Sequence, residues 1–170
     1  MAAYNLIATT TVGSGGASTI EFSSIPQTFT DLKIVHTLRS TRAALVGNLR
    51  MYFNGANTNG SSRTLYGNNA TGSFSNSYIH FGYAVDANNT ASVFASGEIY
   101  IPNYTGSTYK STSYDSVSES NSTSSAIVVQ SLGAGLWSST SAITSVTFML
   151  EDGGNFVQYS SASLYGIKNS

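Results

Sequence analysis

The chain has 170 residues, of which only 9% are Asp, Glu, Lys or Arg, and a formal net charge of −1. Ordinary soluble domains carry about 25% charged residues, and so neutral a chain has no electrostatic footprint for nucleic acid or an anionic membrane. The absence of cysteine excludes disulfides, thiol nucleophiles and Cys-ligated zinc, while 41% hydrophobic and 12% aromatic content speaks against disorder.

In chain order, strand patterns dominate. Met1–Ile7 has neither the basic start nor the apolar run of a signal peptide, and no stretch approaches the ~18 apolar residues of a membrane span. Tyr4, Leu6 and Ala8 alternate with Asn5, Ile7 and Thr9 up to the turn Gly13–Gly16. Thr19–Phe22 follows, ended by Ile25-Pro26; Leu32–Arg39 then alternates with Leu32, Ile34, His36 and Leu38 on one face. Ser40–Val46 reads as a single helical turn capped by Ser40. Leu49–Phe53 is a strand closed by a hairpin turn at Asn54-Gly55. Ser77–Val85, Ala91–Ile101, Tyr109–Ser116, Ser125–Leu132, Ile143–Leu150 and Ala162–Ile167 complete the set, with Glu151–Gly154 as a hairpin turn. Ser111–Ser125 is a polar, low-complexity stretch, either loop or edge strand. The whole predicts one all-β domain over residues 1–170, an antiparallel, jelly-roll-like β-sandwich of about ten strands with almost no helix.

Chemistry-bearing motifs are sparse. His36 and His80 lack metal-ligand spacing, so one inward, hydrogen-bonded imidazole and one solvated imidazole are expected. Of the acids, most fall at turns and only Glu98 reads as mid-strand, whereas glycoside cleavage requires a facing pair. No G-x-S-x-G elbow and no glycine-rich phosphate loop occurs. Catalytic residues, metal ligands and cofactors are therefore all assigned as none. Sequons at Asn59, Asn69, Asn88, Asn103 and Asn121 are about as many as so Asn-, Ser- and Thr-rich a chain produces by chance.

Two groups remain as contact candidates. Lys33, Arg39, Arg42, Arg50 and Arg63 fall in one stretch; among them Arg39, Arg42 and Arg63 either grip an anionic group or pair with Asp31 and loop carbonyls. Trp137 either stacks on a sugar or packs over one end of the core, and Tyr66, Tyr83, Tyr104 and Tyr109 lie near expected loops where they would form a sugar-stacking patch.

Several phrases go beyond composition: Phe22–Val35, Leu38–Arg42, Leu49–Gly55, Arg63–Gly67, Gly97–Tyr104, Trp137–Val146, Gly154–Val157 and Ser163–Lys168. This succession resembles a widespread group of bacteriophage virion proteins, particularly from aquatic phages, usually labelled tail-fibre or virion structural proteins. The resemblance runs through nearly the whole chain in order. It implies a jelly-roll sandwich and a homo-oligomer, with three-fold symmetry common on virions, and it carries over no catalytic residue.

The first strand begins within a few residues of Met1, which suits a freestanding decoration subunit better than a stalked fibre. The expected function is thus non-enzymatic: a capsid decoration or head-protrusion subunit on the outer surface of the virion, its partners the major capsid protein or tail components. The alternative is a tail-fibre or tail-tip protein that recognises host surface glycans.

Overall fold

The computed structural model describes residues 3–68, 71–121 and 129–168, and these are all-β. They form twelve strands: β1 (Ala3–Thr11), β2 (Thr19–Phe22), β3 (Asp31–Leu38), β4 (Val46–Phe53), β5 (Gly60–Gly67), β6 (Thr71–Asn76), β7 (Ile79–Val85), β8 (Ala95–Ile101), β9 (Lys110–Ser118), β10 (Val129–Trp137), β11 (Val146–Leu150) and β12 (Ser161–Lys168). An eight-stranded sheet runs β1-β12-β3-β8-β9-β10-β5-β6 and a four-stranded sheet β2-β11-β4-β7. Every strand pairing is antiparallel. The architecture is a β-sandwich of unequal layers.

Period-two alternation explains the apolar half of the interior. In β3 the set Leu32, Ile34, His36 and Leu38 is buried as the sequence pattern requires. It meets Leu49, Met51 and Phe53 of β4 and Val146 and Phe148 of β11, with Leu164 from β12 and Ile99 from β8 in the same core. Fully burying one such side chain contributes about 1.5–3 kcal/mol.

The other half is built differently. On the adjacent strands β9, β10 and β5 the buried positions include Thr112, Tyr114, Ser116 and Ser118, then Ser131, then Ser62 and Thr64, while Lys110, Val129 and Trp137 are buried at the strand ends. Val117, Leu132, Leu136 and Leu65 of the same strands point outward. Hydroxyl pairs close this layer, with Thr64 Oγ1 2.6 Å from Tyr114 Oη and Ser116 Oγ 2.9 Å from Ser131 Oγ. Small inward groups let β7 approach closely: Gly82, at φ 113°, lies so near Ser116 that a Cβ would sit 2.0 Å from its Oγ.

Several local expectations are corrected. Ser40–Val46 is not helical: Ser40 Oγ does accept the Arg42 N–H at 3.1 Å, but its hydroxyl donates to buried Asp86 and the segment passes into β4. Asn54-Gly55 forms a tight turn with both residues at positive φ and Ala56 N–H bonded to the Phe53 carbonyl, yet it leads from β4 across to β5 in the other sheet. Glu151–Gly154 likewise opens a crossover from β11 to β12 rather than a hairpin. The expected strand Tyr109–Ser116 corresponds to β9, which takes in residues 111–118 of the polar stretch as a central strand between β8 and β10 rather than a loop or an edge; the stretch from 122 onward, with the expected start of the strand at Ser125, lies outside the described residues. Strands β5 and β6 carry too little apolar alternation to be read from sequence.

Candidate functional site: the outer face of the large sheet

The sequence-derived contact residues do not assemble into one patch. Trp137 is 4% exposed and packs edge-on against Phe53, ring centroids 5.4 Å apart, with the Lys110 ammonium 6.0 Å from its ring. It closes the core, the second of the two readings. Tyr104 is fully buried and its hydroxyl donates to the Pro26 carbonyl, so neither ring offers a face to a sugar. Tyr83 is half-buried in an aromatic cluster, 5.1 Å from the ring of His80, and burial raises its phenol to about 12. Tyr66 is half-buried against Phe74, and Tyr109 is 58% exposed.

The basic stretch is largely structural. Arg39 is buried and donates to the carbonyls of Thr90 at 2.7 Å, Val93 at 2.9 Å and Asn89 at 3.3 Å. Arg42 pairs with Asp86 at 3.2 Å and Asp152 at 3.7 Å, and Arg50 with Glu151 at 2.7 Å. Asp31 is not their partner: it accepts the Tyr100 hydroxyl and the Asn103 N–H, both at 2.8 Å. Arg63 alone of the three contact candidates stands exposed, on β5.

What the fold does assemble is the outer face of the eight-stranded sheet. Cross-strand pairing draws one continuous row across it: Thr9, Ser163, Val35, Glu98, Asp115, Leu132, Leu65, Ser73. The neighbouring row includes Leu6, Tyr165, Lys33, Tyr100, Ser113, Ala134 and Arg63. Among the described residues eleven large apolar or aromatic side chains are exposed. Tyr4, Leu6, Val35, Leu65, Tyr100, Val117, Leu132 and Leu136 lie on this face; Leu45, Tyr109 and Tyr159 lie outside the strands. A scatter of single exposed apolar groups is ordinary; their concentration on one surface marks a contact site.

Between β3 and β6 the face is concave, forming a depression of about 720 Å³ lined by Val35, Leu65, Tyr66, Glu98, Asp115, Val117, Gln130 and Leu132. Glu98 and Asp115 are direct cross-strand neighbours. Asp115 lies within β9, so the expectation that Glu98 is the only mid-strand acid is corrected; Glu21, in β2, is another. Lys33 Nζ stands 2.7 Å from Glu98 Oε2, and that bond above all holds the ammonium above its ordinary range. Arg63 and Asp115 take part in none of the salt bridges among the described residues.

The histidines belong to the interior. His36 is 1% and His80 0% exposed, and among the described residues neither ring nitrogen of either has a hydrogen-bond partner. The expected solvated imidazole is therefore absent, and the inward one is held by packing. His36 meets Phe81 edge-on at 5.3 Å, and His80 sits among Phe74, Tyr78, Tyr83 and Tyr114. Among the described residues no three His, Cys, Asp or Glu side chains gather as a metal site. Compared with protein-family models, with curated proteins and with solved structures, the chain matches none.

Proposed function

We propose that the chain is a non-enzymatic virion structural subunit of the capsid-decoration type, working through the outer face of its large sheet. The observation that carries the reading is the reversed polarity of β9, β10 and β5, with hydroxyls inward and leucines outward. A monomer gains nothing from Leu65 at 59% and Leu132 at 57% exposure; a subunit that buries them against protein gains about 25 cal/mol per Å² of apolar area covered. Sparse charge limits repulsion between many copies packed side by side, and repeated weak contacts add through avidity. The resemblance of the chain's phrases to phage virion proteins supplies the setting. No catalysis is assigned to the acids, since Glu98 is engaged by Lys33.

Mass spectrometry of purified particles from the virus that encodes the chain tests the reading: many copies per particle are expected. A Leu65→Ser/Leu132→Ser variant should fold but occupy the particle poorly. Absence of the chain from intact particles would overturn the proposal.

A second reading, recognition of a neutral host glycan, draws on the depression, whose volume falls in the range of small-molecule sites and whose wall carries Glu98, Asp115 and Gln130 beside apolar groups. Its test is a glycan array with the wild-type chain and Asp115→Asn/Gln130→Ala. Binding that the double variant loses supports it; no binding on any glycan rejects it.

A further inference from the structure

We propose that the occupant of this face is a second copy of the chain, seated about a two-fold axis that crosses β10 between Leu132 and Ala134. The inference rests on the reading of the face as a contact surface and adds its partner.

Charge is the first argument. Arg63 on β5 and Asp115 on β9 flank β10, and neither has a salt bridge among the described residues. They stand two strands apart and one row out of step, about 10 Å across the sheet at ~4.8 Å per strand, and no ion pair joins them within one copy. A two-fold axis through the midpoint of that diagonal exchanges the two positions. Each Arg63 then faces the Asp115 of the other copy, so two ion pairs form at once. An isologous interface requires this self-complementarity. A neutral glycan would leave both charges without a partner.

Apolar contact is the second argument. Leu132 is the direct neighbour of both Asp115 and Leu65, so it lies beside the axis. The operation that swaps the charges lays the Leu65–Leu132 pair of one copy over the same pair of the other. Area is the third. The five strands centred on β10, β8-β9-β10-β5-β6, at ~4.8 Å each with about seven residues at ~3.3 Å, span roughly 550 Å² on each copy, which on two copies clears the ~1,000 Å² a specific interface needs.

Analytical ultracentrifugation of the full chain tests this, using the wild type, Arg63→Asp, Asp115→Arg and the double exchange. The wild type should dimerise. Each single reversal creates two like-charge contacts and should weaken the dimer about tenfold or more, and the double exchange should recover most of that loss. Arg63→Gln and Asp115→Asn, which keep size and remove charge, should each weaken the dimer and serve should a reversal fail to fold. A monomer at the highest concentration reached, or an oligomer indifferent to all four single substitutions, would overturn the inference. So would a loss that the folded double exchange does not restore. Particle occupancy separates the two proposals. A dimer absent from particles defeats the virion reading alone, and a monomer present on particles defeats this inference alone.

Discussion

Glu98 and Asp115 stand directly opposite each other on β8 and β9, two acids side by side on an open sheet face, and the salt bridge to Lys33 at 2.7 Å serves Glu98 alone. Like charges at directly opposed positions destabilise a sheet by roughly 0.2–1 kcal/mol. Asp115→Asn should therefore raise the stability of the dilute, monomeric chain by a few tenths of a kcal/mol. Glu98→Gln should lower it slightly, because it leaves Lys33 without its partner. Urea denaturation measures both, and a destabilised Asp115→Asn would contradict the account.

The two layers approach closely at Gly82. A side chain there is strained twice, by φ 113° and by a Cβ position 2.0 Å from Ser116 Oγ. Gly82→Ala should cost about 3 kcal/mol or more, from overpacking and backbone strain together. Gly67→Ala is the control: nothing lies within 4 Å of its Cβ position, so its effect should stay within about 0.5 kcal/mol. Thermal melts of the two variants should differ by several degrees.

Acid should destabilise the fold through its two histidines. Burial holds His36 down at about 3 and His80 at about 4, against an ordinary 6.5. The unfolded chain therefore takes up these protons first. Their stabilising contribution is complete above about 6.5 and is lost as pH falls through the window toward 4 and 3. Within it each histidine removes about 1.4 kcal/mol per pH unit. Asp86, raised chiefly by burial, acts in the opposite sense, since the folded chain binds its proton more readily. The melting temperature should fall steadily from pH 6.5 to 4.5, and His36→Leu and His80→Leu should each flatten the slope. A flat wild-type profile would refute this.

Arg39 organises the loop between β7 and β8. Its guanidinium gathers the carbonyls of Asn89, Thr90 and Val93 inside the protein, and removing it leaves those acceptors without their donor. Arg39→Ala should cost about 3 kcal/mol, with Arg39→Lys intermediate because an ammonium lacks the planar fork. Hydrogen exchange over residues 87–93 should rise in both. Unchanged exchange there would show that the loop holds without it.

The apolar half of the sandwich was legible in the sequence because β3, β4 and β12 alternate as the rule for a half-buried strand demands. The candidate surface was not. Ser111–Ser125 reads as either a polar loop or an edge strand, yet within it β9 is a central strand whose hydroxyls are the buried row and Val117 the exposed one. Trp137 and Tyr104, chosen as aromatic contacts, are held in the core, while Leu65 and Leu132, which were not among the contact candidates, face out.

The sequence by itself determined that the chain is β-structured, nearly uncharged, and free of cysteine chemistry, since period, composition and turn residues are local properties. Only the tertiary structure decided which face of β9, β10 and β5 is interior. The reason is physical: β7 packs so closely at Gly82 that hydroxyls and glycines fit inside where leucines cannot, and cross-strand register then lines up Val35, Leu132 and Leu65 with Glu98 and Asp115 on the opposite side.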